Sequence, residues 1–130
     1  MTEPEVARLA GEAFSLMTGA DLPALDLECK PPEDEASGPN DDPADEAVAM
    51  DEDDGLPWPD PARVSAWWAT RSSGFQPGVR CFMGATPSPA HCLAVLETGY
   101  QRQRRAAAVW SSLLAPGTPL FPTAAPVARQ

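Results

Sequence analysis

Ser88-Pro89-Ala90-His91-Cys92-Leu93-Ala94-Val95-Leu96-Glu97-Thr98-Gly99, followed at once by Tyr100-Gln101-Arg102-Gln103-Arg104-Arg105-Ala106-Ala107-Ala108-Val109-Trp110-Ser111-Ser112-Leu113-Leu114, reads as two helices broken at one glycine. Ser88 offers a side-chain oxygen to the first free amides, and Pro89 suits a first helical turn because it has no N–H to leave unpaired. Leu93, Val95 and Leu96 are the expected inner residues of the first helix. Gly99 stops it. The second helix, about 100–114, is expected to turn Ala106, Ala107, Val109, Trp110, Leu113 and Leu114 inward. Pro116-Gly117 closes it. Two helices joined this tightly form an αα-hairpin, the unit from which helical solenoids are stacked. No internal repeat is long enough to establish a solenoid.

Asp60-Pro61 repeats the cap-then-proline signal. A helix is expected from there to about Arg71, with Val64, Trp67 and Trp68 on its buried face and Ser72-Ser73-Gly74 at its end. Adjacent tryptophans point about 100° apart on a helix, so one is expected inside and one at a rim or an interface, or both half-buried. Leu56-Pro57-Trp58-Pro59 leads in as an extended segment. Residues 75–87 form a connector in which Val79 to Met83 reads as either a brief strand or a packed loop; the lack of a second strand nearby favours the loop.

At the other end, Thr2 and Glu5 have capping-box spacing and begin a helix over about 3–18. Val6, Leu9, Ala10, Ala13, Phe14 and Met17 recur at three- and four-residue steps as one apolar stripe, and Gly19 ends the helix. A helix this short is marginal alone in water, so the stripe needs a partner surface. Leu22, Leu25 and Leu27 then alternate along an extended segment.

Charge divides the chain. Residues 1–54 hold 17 acids and 2 bases, whereas 55–130 hold 2 acids and 7 arginines. Eleven of the acids lie between Glu33 and Asp54, among prolines and without a base. Such a stretch buries too little apolar area to offset the entropy of ordering and reads as a disordered linker. The expected organisation is a terminal helix and extended segment at 1–29, an acidic linker at 30–55, a three-helix module at 56–115 and an extended Pro-rich tail at 116–130. The fold class is all-α.

Chemistry is sparse. The single histidine, His91, with Cys81 and Cys92, gives the one cluster of soft ligands, and it falls short of the four that a zinc site uses. Asp51 to Gly55 resembles a calcium loop, but aligning its glycine places Met50 and Pro61 at positions that require oxygen ligands. No nucleophile elbow and no phosphate-cradling glycine loop is present. No catalytic, metal or cofactor residue is expected, and no small-molecule substrate. Arg102, Arg104 and Arg105 cluster at a helix start, where they oppose the helix dipole and are expected to answer something acidic. A nucleic-acid contact through them is the weaker alternative, because the net charge of −10 opposes a phosphate tracker. The acidic N-terminal residues lack an apolar signal core, and no run approaches a membrane span. Three cysteines are then expected as reduced thiols in a cytoplasmic protein.

Several ordered motifs carry a family resemblance. They are Ala10-Gly11-Glu12-Ala13-Phe14 with Thr18-Gly19-Ala20-Asp21-Leu22, Leu56 to Pro61 with Val64 and Trp67-Trp68, and Pro77-Gly78-Val79-Arg80 with Gly84. Gly99 with Gln101-Arg102-Gln103-Arg104, and Pro116-Gly117-Thr118-Pro119-Leu120-Phe121, complete them. The chain resembles the C-terminal part of a bacterial HEAT-repeat protein family of unknown function, whose genes often lie near type VI secretion clusters. Members of that family are longer, with stacked repeats upstream. The resemblance implies a scaffold or adaptor rather than an enzyme, either as a stand-alone terminal module or as a truncated, non-functional fragment. It transfers no catalytic residue. The residues expected to meet a protein partner are Val6, Leu9, Phe14, Trp67, Trp68, Arg102, Arg104 and Arg105.

Overall fold

The computed structural model describes residues 1, 3–32, 44 and 53–124. The acidic linker therefore lies almost wholly outside the described residues, as do Thr2 of the expected capping box and the last residues of the tail. The described chain is mainly helical: α1 (Pro4–Thr18), α2 (Pro61–Arg71), α3 (Pro89–Thr98) and α4 (Gln101–Leu114). A 3₁₀ turn, Ser72–Gly74, follows α2. The all-α class stands, with one small addition. Two-residue strands β1 (Glu28–Cys29) and β2 (Trp58–Pro59) pair antiparallel, Glu28 opposite Pro59 and Cys29 opposite Trp58. The extended lead-in to α2 is thus half of a sheet. Its proline is tolerated because a two-stranded sheet consists only of edges.

The chain divides into two compact units, Met1–Ser15 with Ala20–Phe75, and Leu16–Gly19 with Gln76–Gln130. This differs from the module expected at 56–115: α2 groups with most of α1, not with α3 and α4.

In the first unit Leu22, Leu27 and Val64 are buried together, with Met1, Phe14 and Trp67 packed on them. Helix α1 turns Ala7, Gly11 and Phe14 toward this core. The small residues permit close approach: a Cβ on Gly11 would stand 3.2 Å from both Leu22 Cδ1 and Pro59 Cγ. That contact sets the rotation of the helix. It leaves most of the expected stripe outside, with Val6 49%, Leu9 47% and Met17 41% exposed. Leu22 to Leu27 is a turn, not an extended run. The Leu27 amide donates to the Leu22 carbonyl at 2.8 Å, and Asp21 Oδ1 accepts from the Ala24 amide at 3.1 Å. Leu25, the middle leucine, points outward.

Asp60 caps α2 as expected, accepting from the Ala62 and Arg63 amides at 2.9 and 3.0 Å. Its own amide donates to the Leu27 carbonyl at 2.8 Å, which ties the cap to the β1–β2 pair. Arg63 also bridges Asp60 at 3.4 Å and Asp26 at 2.8 Å, in an exposed position that adds little. Asp60→Ala is expected to cost about 1 kcal/mol through the lost cap. A lower urea midpoint with unchanged denaturant dependence would show it.

In the second unit α3 and α4 form the expected hairpin. Phe82, Cys92, Val95, Leu96, Ala107 and Ala108 make the buried cluster, and Leu16, Met83, Ala106, Trp110 and Phe121 pack against it. Val95, Leu96 and Ala107 are buried as expected, and Ala106 and Trp110 pack against them, but the rest of each inner face differs from the sequence reading. Cys92, fully buried, takes the place expected for Leu93, which is 56% exposed. On α4 Ala107 and Ala108 are buried, whereas Val109, Leu113 and Leu114 lie exposed. Small side chains at the contact let two helix backbones approach closely, and this outweighs the pull of the larger apolar residues. Gly99 serves the same end: a Cβ there would meet the Val95 carbonyl oxygen at 2.7 Å.

The connector is a packed loop with a tight two-residue turn inside it. Phe82 and Ala85 exchange backbone hydrogen bonds of 2.8 and 3.1 Å, with Met83 (φ 49°) and Gly84 (φ 81°) both left-handed between them. Two positive φ values match the reversed turn that joins hairpin strands. The turn also closes the end of α1. The Met83 amide donates to the Leu16 carbonyl at 2.6 Å and the Gly84 amide to the Met17 carbonyl at 3.1 Å, pairing two carbonyls that a helix terminus otherwise leaves free.

Candidate protein-interaction surfaces

The eight residues expected to meet a partner fall into three groups: the aromatic three, the three arginines, and Val6 with Leu9. Phe14, Trp67 and Trp68 belong to the first unit's own packing. Phe14 meets Trp67 edge-on at 5.5 Å and Trp68 at 6.2 Å, and Trp68 lies 5.2 Å from Phe75. One phenyl ring from α1 therefore reaches both indoles, and both tryptophans are half-buried. The 100° between them is spanned by the width of the aromatic contact rather than by a rim position. The Arg71 guanidinium stands 5.1 Å over the Trp67 ring. The buried Trp67 Nε1 has no hydrogen-bond partner among the described residues.

Arg102, Arg104 and Arg105 do not act as one patch. Arg104 is half-buried, and its Nε–H donates to the Leu96 carbonyl at 2.8 Å. The group answered by this first-turn arginine is thus a carbonyl near the end of α3, where helix carbonyls lack partners and carry partial negative charge. Arg102 is half-buried and Arg105 exposed. At the same terminus Gln103 Oε1 accepts from the Tyr100 amide at 2.9 Å, so the start of α4 is capped without an acid.

His91 and Cys92 also serve the fold. His91 Nε2–H donates to the Phe82 carbonyl at 2.8 Å, and the ring stands edge-on to the Phe82 side chain at 5.8 Å. The three cysteines are free thiols, with Cys92 buried. Among the described residues no group of three or more histidine, cysteine or acidic side chains is placed to hold a metal ion.

Large apolar side chains also face outward. Val6 and Leu9 stand on α1, and Val109 and Leu113 on α4, the last 63% exposed. Sequence periodicity placed Val109 and Leu113 inside, so their exposure on α4 was not expected. Arg105, Val109 and Leu113 follow at four-residue steps on α4, and all three are exposed. No described helix is long and apolar enough to cross a membrane. Compared with known protein families, with curated proteins and with solved structures, the chain gives no match.

Proposed function

We propose that this chain is a non-enzymatic protein-binding module of a cytoplasmic scaffold. In this reading it is the terminal part of a HEAT-repeat-like protein, with an accessory role in type VI secretion. The observation that carries the protein-binding reading is the outward position of Val6 and Leu9 on α1, each close to half exposed. Large apolar side chains on one helix face, backed by a separate inner face of Ala7, Gly11 and Phe14, suit the docking of another helix. The αα-hairpin and the resemblance of the ordered motifs support the scaffold and secretion part.

A photo-crosslinking amino acid at Leu9, compared with one at the exposed Thr70 of α2, tests the reading in cells that express the full chain. A discrete protein adduct at Leu9 and none at Thr70 is expected. No adduct at Leu9, from a chain that remains folded and expressed, would exclude it. Copurification of a secretion component with the full chain is the result expected of the finer role; its absence would remove that role while leaving the module.

A further inference from the structure

Two exposed helix rows in this chain complement one another. On α1, Glu5, Leu9 and Ala13 follow at four-residue steps, and all three are exposed. On α4, Arg105, Val109 and Leu113 follow at the same steps and are likewise exposed. Residues four apart form the inclined ridge of a helix, spaced about 6 Å along its axis. Two such ridges interlock in the commonest helix–helix packing, at a crossing angle of about −50°. The order of chemistry matches along each row. An acid heads one and an arginine the other, and apolar residues follow. Ala13 is small where Leu113 is large, which lets the second row seat a leucine over an alanine.

We infer that the occupant of the α1 face is a second copy of this chain, docked through its α4 row, with Glu5 beside Arg105 and with Leu9 and Ala13 alongside Val109 and Leu113. This rests on the proposed protein-binding role of α1 and names the partner. The two faces differ, so the contact is heterologous: each copy presents one face of each kind, and assembly runs head to tail or closes into a ring. The charge pair sets the register and rejects like-charged arrangements, while the apolar residues supply contact area.

Charge exchange tests the pairing on the full chain. Sedimentation of the wild type is expected to show a mass above the 13.8 kDa of one chain that rises with concentration. Glu5→Arg and Arg105→Glu each set like charges against one another, and either alone is expected to weaken association on the order of tenfold. An equimolar mixture of the two variants restores one opposite-charge contact in each direction and is expected to recover association, as is the double variant. Circular dichroism of each variant checks that the fold is retained; both positions are exposed, so it is expected to be. Strictly monomeric wild type at millimolar concentration would overturn the inference, as would association untouched by either reversal or unrestored by mixing. A Leu9 adduct to a different protein, from a monomeric chain, would overturn the second-copy assignment alone and leave the protein-binding reading standing. No Leu9 adduct of any kind would remove both.

Discussion

Phe82→Ala is expected to lower the stability of the second unit by about 3–5 kcal/mol, the range for emptying a buried phenylalanine site. Phe82 is 1% exposed. Its ring lies 6.2 Å from Trp110 and 5.8 Å from His91, and it shares the buried cluster with Cys92, Val95, Leu96 and the two alanines of α4. The rest of that cluster cannot close the gap. Ala107 and Ala108 have no length to spare, and Cys92 is already fully buried. A loss of this size is a large part of the roughly 5–15 kcal/mol that holds an ordinary domain together. The substitution also weakens the turn at 82–85, since the His91 ring loses its edge-on partner while keeping its bond to the Phe82 carbonyl. Urea unfolding followed by near-ultraviolet circular dichroism, where the indole of Trp110 contributes, measures it. A change below about 1 kcal/mol would mean that Phe82 is not the centre of this core.

The starts and stops of the helices were legible because they rest on local chemistry. Asp60-Pro61 and Ser88-Pro89 each place an oxygen and a proline where the first turn needs them, and both caps are seen. Gly99 and Gly19 end helices as read. The buried face of α2 was legible, with Val64 and Trp67 inside as read, whereas the rotations of α1 and α4 were legible only in part. Periodicity weights residues by size, yet the surfaces in contact here are built from Ala7 and Gly11 on α1 and from Ala107 and Ala108 on α4. Their value lies in how near they let a backbone come, which depends on what arrives from elsewhere in the chain. Two pairings were hidden for the same reason. Arg104 reaches back to the Leu96 carbonyl across the hairpin, and the Met83 and Gly84 amides close the end of α1 from a distant loop. Of the eight expected contact residues, Val6, Leu9 and Arg105 stand exposed and Arg102 is half-buried, whereas the aromatic three and Arg104 are occupied by packing or by a carbonyl. Val109 and Leu113, which also stand exposed, were apolar enough to be assigned to the interior.

Leu22→Ala is expected to cost the first unit about 2–5 kcal/mol. Leu22 is 1% exposed and is the residue against which Gly11 closes, with Leu27 and Val64 completing the cluster. Its carbonyl keeps the bond from the Leu27 amide, so the loss is of packing and not of the turn. A second substitution tests the closeness of Gly11 to Leu22 more sharply. In the native chain Gly11→Ala places a Cβ 3.2 Å from Leu22 Cδ1 and from Pro59 Cγ. That crowding opposes the roughly 1 kcal/mol that alanine gains over glycine inside a helix. With Leu22 already truncated, one of the two obstructing atoms is gone, and the new methyl enters the space it left. Gly11→Ala is therefore expected to be neutral or unfavourable alone and stabilising in the Leu22→Ala background. The coupling should be at least about 0.5 kcal/mol, as for residues sharing one cavity. Four urea titrations close the cycle. Additive effects would mean that α1 is not held in its rotation by the approach of Leu22 to Gly11, and the outward placement of Val6 and Leu9 would then need another cause.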